Sequence, residues 1–213
     1  MTTSDTSPLI FVVSGPSGSG KSTLVEKILE LPGTLWSVSY TTRKPRPAES
    51  PGKWYDFVSE AEFERMARQG AFLEYACVFG RHWYGTPRKW LEEARAKGLD
   101  LVLEIDVQGA QQLRELHLKQ QLPELVSIFI VPPSRQELER RIRARGQDSE
   151  EEIARRLERA RQEMQHYGQY DYIVVNDDVE RAGRAVQAIV GAARCRRGQN
   201  EQRVRKILDS FGG

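Results

Sequence analysis

The feature that most constrains this chain is the passage "IFVVSGPSGSGKSTLVEKIL", residues 10–29, where an apolar run meets three glycines and then Lys-Ser-Thr. The β-branched run reads as a strand buried on both faces, and Leu24, Val25, Ile28 and Leu29 after it read as the apolar side of a helix. The turn between them is tight, and its glycines let backbone N–H groups close on one point at a helix N-terminus. Gly15, Gly20, Lys21 and Ser22 satisfy G-x-x-x-x-G-K-[ST], a spacing that cradles phosphate oxygens, brings a lysine to the β and γ phosphates and sets a hydroxyl on Mg²⁺. The loop from Gly15 through Pro16, Ser17, Gly18, Ser19 and Gly20 to Lys21, Ser22 and Thr23 is therefore the expected seat of a nucleoside triphosphate. A plain glycine-rich turn is the alternative, and the flanking strand and helix argue against it.

With 213 residues, 39% of them hydrophobic, the chain suffices for one substantial α/β core. Strand-like runs recur at 9–14, 99–106, 125–133 and 170–177 with helical patterns between them, which predicts a parallel sheet flanked by helices on both faces. Residues 34–90, rich in aromatics and prolines, break that pattern and read as an insertion. Ser134 with Glu137 and Ser149 with Glu152 predict two capping boxes around the polar "RARGQDS" of a helical hairpin. One further helix is expected over 179–210, with Val186, Ile189, Val190 and Ala193 on one side. Residues 1–8 read as a disordered tail with no leader, and no apolar run is long enough for a membrane span. A net charge of +2 gives no sign of nucleic acid, and two distant cysteines with three scattered histidines offer no metal cage and suit a reducing cytoplasm.

Three further places carry chemistry. Asp106 ends the strand run "LVLEI", where open α/β sheets bind ligands, and is a candidate for orienting Mg²⁺ directly or through water; it is equally a good N-cap for the helix that follows. In "SVSYTTRKPRPAESPGKWYDF", Arg43 and Arg46 can converge on one dianionic phosphate with Ser39 and Tyr55, or can belong to an ordinary exposed basic loop. In "FLEYACVFGRHWYGTPRKW", Glu74 can accept the adjacent N1–H and N2–H₂ donors of a guanine while Thr86 serves O6. Thr86 before Pro87 also reads as the N-cap of a helix ending at Gly98, and Glu74 as a solvated strand residue.

Taken together, "GPSGSGKST", "SVSYTTRKPRP", "YDFVS", "FLEYACVFGRHWYGTP", "LEIDVQGA", "PPSRQELERRIRARG" and "YDYIVVND" resemble, in order over about residues 9–207, the guanylate kinase family of bacterial type. The resemblance implies a P-loop nucleoside monophosphate kinase fold over 9–213: a core of 9–36, 91–133 and 168–213, a mixed α/β GMP-binding insertion at 37–90, and a helical lid at 134–167. It implies ATP-dependent conversion of GMP, and of dGMP, to GDP or its deoxy counterpart with Mg²⁺. Carried over by position, Ser39, Arg43, Arg46, Tyr55 and Tyr84 hold the GMP phosphate. Glu74 and Thr86 read the guanine, and Glu104 and Asp106 line the same cleft. Arg141, Arg145 and Arg156 form the lid over ATP, joining Lys21, Arg43 and Asp106 as the catalytic set. Asn176 lies near the adenine, its alternative being a simple turn former. The sequence departs from the usual family pattern at Ala48, Pro51 and Trp54, none an expected ligand; these bear on the loop's conformation.

Competing readings are a catalytically dead interaction module, a kinase for another small phosphorylated substrate, and nucleic-acid binding through the basic C-terminal helix. Intact Gly20, Lys21, Ser22 and Asp106 oppose the first. Glu74 and Thr86 oppose the second, and acidic Glu180, Glu201 and Asp209 oppose the third. The C-terminal helix can instead pack between subunits of a homo-oligomer.

Overall fold

The apolar run forms β1 (Ile10–Ser14), buried at every position in a computed structural model that describes residues 7–45, 49–78, 80–144 and 149–211. Alternate side chains of a strand point to opposite faces, so a strand covered on both sides needs no polar position. Phe11 and Val13 meet α1 (Lys21–Leu29) and α7 (Val179–Arg194) in one core, through Leu24, Val25, Ile28, Val186 and Val190. Ile10 and Val12 belong to the other core, with Leu91 of α3 (Lys89–Lys97) and Ala110 and Leu113 of α4 (Val107–Leu118).

β1 is the middle of a five-stranded parallel sheet of order β2-β7-β1-β8-β9, built with β2 (Thr34–Trp36), β7 (Asp100–Glu104), β8 (Leu125–Val131) and β9 (Tyr172–Val175). The four expected strands are present; β2 is a fifth, too short to carry a period. A second, mixed sheet of order β4-β3-β6-β5 contains β3 (Ser39–Thr41), β4 (Tyr55–Phe57), β5 (Phe72–Val78) and β6 (His82–Pro87). On it rests α2 (Glu60–Arg68), whose Phe63 stacks on Phe72 with ring centroids 4.6 Å apart. Trp54 meets Trp36 edge to face at 5.0 Å, and Trp36 Nε1 donates to the Lys53 carbonyl at 3.0 Å. The loop before β4 is thereby tied to the edge of the parallel sheet, which gives the unusual Trp54 a structural task.

Helices α5 (Arg135–Ala144) and α6 (Glu150–Met164) enclose a small core of their own, Leu138, Ile142, Ile153, Leu157 and Ala160. The Ser149 capping box is complete, but the one expected at Ser134 is only half made. The Glu137 amide donates to Ser134 Oγ at 3.1 Å, while the Glu137 carboxylate is taken by Arg140 and Arg141. The single C-terminal helix is also corrected: the chain breaks at Cys195 and Arg196 and resumes as α8 (Arg197–Ser210). Asn200 Nδ2 donates to the carbonyls of Arg194 and Arg196, and Arg196 and Gln199 both bind Glu124, which fixes the corner. Expectations at Arg46, Ala48 and Arg145, and for the first six residues, lie outside the described residues.

Ile28, with no exposed surface, joins α1 to the sheet and α7. Ile28→Ala should lower stability by about 2–5 kcal/mol, seen as a lower urea midpoint with an unchanged slope.

Candidate active site

The loop after β1 can close because two of its three glycines stand where a Cβ has no room. At Gly15, φ 141°, a Cβ would stand 2.2 Å from the Ile130 carbonyl oxygen, and at Gly20, φ 91°, it would stand 2.2 Å from Asn176 Nδ2. At Gly15 backbone thus touches backbone, at the C-terminal end of the sheet's central strand, where strand order reverses and open α/β sheets hold ligands. Lys21 Nζ arches back over the loop and donates to the carbonyls of Gly15 and Pro16 at 2.8 and 3.1 Å. Ser22 and Thr23 begin α1 with exposed side chains, and Ser22 Oγ donates to Glu104 Oε1 at 3.1 Å. Glu104, expected in the acceptor cleft, therefore also reaches the phosphate loop. Asp106 does cap α4, its Oδ1 accepting from the amides of Gln108 and Gly109 at 3.1 and 3.0 Å. Its Oδ2 accepts from Gln108 Nε2 and lies 3.8 Å from Arg159. Hydroxyl and carboxylate oxygens at the loop are the donor chemistry Mg²⁺ prefers, so these residues fit that ion.

The helical pair leans on this loop. Arg141 donates to the carbonyls of Asn176 and Ser19, at 2.9 and 3.4 Å, and Arg156 Nη2 donates to Ser17 Oγ at 2.9 Å. Asn176 is buried and donates from Nδ2 to the Ser19 carbonyl at 2.8 Å, so it is more than a turn former: it pins the loop to the end of β9. Arg159 was not anticipated; it follows Arg156 by three residues on α6, a helical spacing that was the available signal.

Across from the loop, strand register assembles the second half of the site from residues far apart in sequence. Ser39 pairs with Tyr55, Thr41 with Tyr84, and Glu74 with Thr86. Arg43 Nε donates to Tyr84 Oη at 3.1 Å, and its guanidinium lies 5.4 Å from the Tyr55 ring centroid. Arg43 also forms a bidentate pair with Glu49 at 2.7 and 3.0 Å, a partner the sequence reading missed although Glu49 is the sole acid between Thr41 and Lys53. Burial first, then the charges of Glu104 and Tyr84, hold the Tyr55 hydroxyl well above its ordinary pKa, keeping it a donor.

Thr86 is not a helix cap. It lies in β6, the cap position of α3 falls to Arg88, and Thr86 Oγ1 donates to Glu74 Oε1 at 2.6 Å. Nor is Glu74 solvated: it is 5% exposed, and burial, opposed by the Thr86 hydrogen bond and assisted by the charge of Asp106, pushes its carboxyl up to about 7. A buried acid with one hydroxyl partner is suited to accept further donors from a ligand.

A loop built for the phosphates of one molecule is thus linked, through Glu104 and Asp106, to a second group of residues with its own cation and its own buried acid, and two such places side by side are what a transferase needs. The fold and site define a phosphate-loop kinase. The chain belongs to the guanylate kinase family, whose model, described as guanylate kinase, matches residues 7–193. It is 48% identical over 205 residues to a guanylate kinase of Vibrio parahaemolyticus, covering 95% of this chain and 96% of that one. It is 49% identical over 197 residues to a guanylate kinase of Escherichia coli, covering 91% and 92%. The crystal structure of guanylate kinase from Anaplasma phagocytophilum superposes with a TM-score of 0.78 at 37% identity, covering 96% of this chain and 95% of that one.

Carboxyl-selective NMR titration of the ligand-free protein should find Glu74 with a midpoint near 7. Thr86→Val removes a hydrogen bond that favours the ionised form, so the midpoint should move higher; a fall would contradict the geometry.

Proposed function

We propose that this chain transfers the γ-phosphoryl group of ATP to GMP, yielding ADP and GDP, and that dGMP enters the same cleft. The observation that carries the reading is the buried Glu74–Thr86 pair, an acceptor carboxylate and a hydroxyl within the cleft that faces the phosphate loop. Guanine offers adjacent N1–H and N2–H₂ donors to such a carboxylate, whereas adenine would set its N1 lone pair against it. Arg43, Arg46, Ser39, Tyr55 and Tyr84 bind the acceptor phosphate. Gly15 to Thr23 bind ATP, with Asn176 on the adenine side.

The attacking atom is a GMP phosphate oxygen, already anionic at neutral pH, so no side chain need serve as a strong base. A new O–P bond forms to the γ phosphorus as its bond to the β-phosphate oxygen breaks, and ADP leaves with that electron pair. What the protein supplies is position and positive charge. Lys21 follows the β and γ phosphates, Arg43 steadies the nucleophile, and Arg141, Arg145 and Arg156 surround the migrating group while keeping water out. Ser22, with Asp106 directly or through water, would hold Mg²⁺, which supplies charge neutralisation across the phosphates.

Only the ionised Glu74 accepts from both guanine donors at once, so a group released near 7 adds an acid limb to kcat/KM for GMP, separate from the limb near 6 expected of the substrate's own phosphate. The folded pKa is raised, so the associated stability is full below the unfolded value and is lost as pH rises through 7. The free enzyme is thus ionised for recognition in the range where ionisation strains the fold.

Val204, Ile207 and Leu208 of α8 and Phe211 just after it are exposed at helical spacing, which supports pairing of copies through that helix. A monomer mass at every concentration in light scattering would remove that expectation. Among the described residues no helix is long and apolar enough to cross a membrane.

A coupled assay of ADP release over GMP, dGMP, IMP, AMP, CMP and UMP should give efficient turnover with GMP and dGMP; equal use of AMP or CMP would overturn the guanine assignment. Lys21→Met should lower kcat by about 10³-fold or more while sparing GMP binding. Glu74→Gln should reduce the preference for GMP over AMP by about 10²-fold and erase the acid limb near 7.

A further inference from the structure

We propose that Gly109 is a positioning residue for base recognition: the side chain it lacks is the space in which the Glu74 carboxylate sits. This rests on the reading that Glu74 recognises guanine. Gly109 lies in the first turn of α4, where its amide donates to Asp106 Oδ1 at 3.0 Å. A Cβ built there would stand 2.3 Å from Glu74 Oε2 and 2.9 Å from Glu74 Cδ, while the next neighbour, Ile105 Cβ, is an ordinary contact at 3.5 Å. Gly109 is not among the glycines of positive φ, so its backbone does not call for glycine. Inside a helix, glycine is the poorer choice by its own propensity. The carboxylate is thus the one close neighbour that a side chain at 109 would displace.

The opposite side of that carboxylate is closed as well, because Thr86 Oγ1 holds Oε1 at 2.6 Å. A methyl group at 109 cannot be accommodated by a small slide toward Thr86. The carboxylate must rotate, and rotation misaligns its oxygens for two adjacent donors, a ring N1–H and an exocyclic N2–H₂. The backbone has no need to move, since the displaced atoms are the far end of one side chain. Gly109 also joins the two halves of the site: its amide is capped by Asp106, and the space beside its Cα holds the Glu74 carboxylate.

The test is Gly109→Ala in the full chain, alone and combined with Glu74→Ala. The single variant should fold with a cooperative melt within about 5 °C of the parent, the gain from losing a helix glycine being offset by the cost of displacing the buried carboxylate. Its KM for GMP should rise about 10- to 100-fold with KM for ATP unaltered, and its preference for GMP over IMP, which lacks the 2-amino donor, should shrink. Without the Glu74 side chain, the change at 109 should leave KM for GMP within twofold. A single variant within twofold of the parent, an equal loss with and without the Glu74 side chain, or loss of the cooperative melt would each overturn the proposal. If Glu74→Ala itself leaves the GMP-to-AMP preference intact, the guanine reading fails first and takes this inference with it.

Discussion

The close approach of the loop backbone at Gly15 to the carbonyl of Ile130 is the contact on which the rest of the molecule depends. It requires β1 and β8 to be adjacent and parallel, and their register is continuous from Ile10 with Leu125 to Ser14 with Phe129. That adjacency requires β1 to be apolar on both faces, because helices must cover each side of a parallel sheet. The same contact aims the N-terminal end of α1 and its dipole at one point. Anything placed at Gly15 larger than hydrogen would separate β1 from β8 and open the loop together. Stability and phosphate binding are in this respect one constraint.

The half of the site proposed to take the acceptor obeys a different rule. No local motif holds Arg43, Tyr55, Glu74, Tyr84 and Thr86 together; the register of a small mixed sheet does. A slip of one residue in β6 would turn Thr86 away from Glu74 and leave a buried carboxylate without its hydroxyl, a state costing roughly 1–3 kcal/mol. The aromatic cluster of Phe63, Phe72 and Trp83 lies behind this sheet and resists that slip. Trp54 against Trp36 fastens the adjoining loop to β2 in turn. Packing behind the sheet therefore protects the chemistry in front of it.

This division explains what was readable in the sequence. The loop at 15–23 was legible because its parts are contiguous and each residue type has a mechanical reason to be there. The parallel strands were legible because burial on both faces leaves continuous apolar runs. Family resemblance, more than periodicity, brought Tyr84 and Glu104 into the site. Thr86 was ambiguous: Thr-Pro is a sound cap signature, and only pairing of β6 with β5 decides against it. Glu49 went unread because its bond to Arg43 depends on how a proline-rich loop folds back. Gly109 carries no local mark within "LEIDVQGA", since nothing nearby in the sequence distinguishes a glycine shaped by a distant carboxylate. The corner at Cys195 was hidden because it depends on Glu124, far away in the chain.

The arginine helices bring the two rules together. Arg141 and Arg156 touch the loop through the neutral oxygens of Ser19, Asn176 and Ser17. A guanidinium gains more from an ionised oxygen than from a carbonyl or hydroxyl, so under the proposed reading a bound triphosphate outcompetes those contacts and redirects the arginines toward itself. The helices can follow because Leu138, Ile142, Ile153, Leu157 and Ala160 form a core separate from the two that flank the sheet. A pair that keeps its own core while exchanging polar contacts can shift without unfolding, the requirement for a lid that closes on each turnover. The apolar contact at Gly18, where a Cβ would lie 2.9 Å from Leu138 Cδ1, keeps the pair seated near the loop. Under the proposed reading, closure needs only a redirection of side chains and a short movement of the helices, driven by the charge of the donor nucleotide.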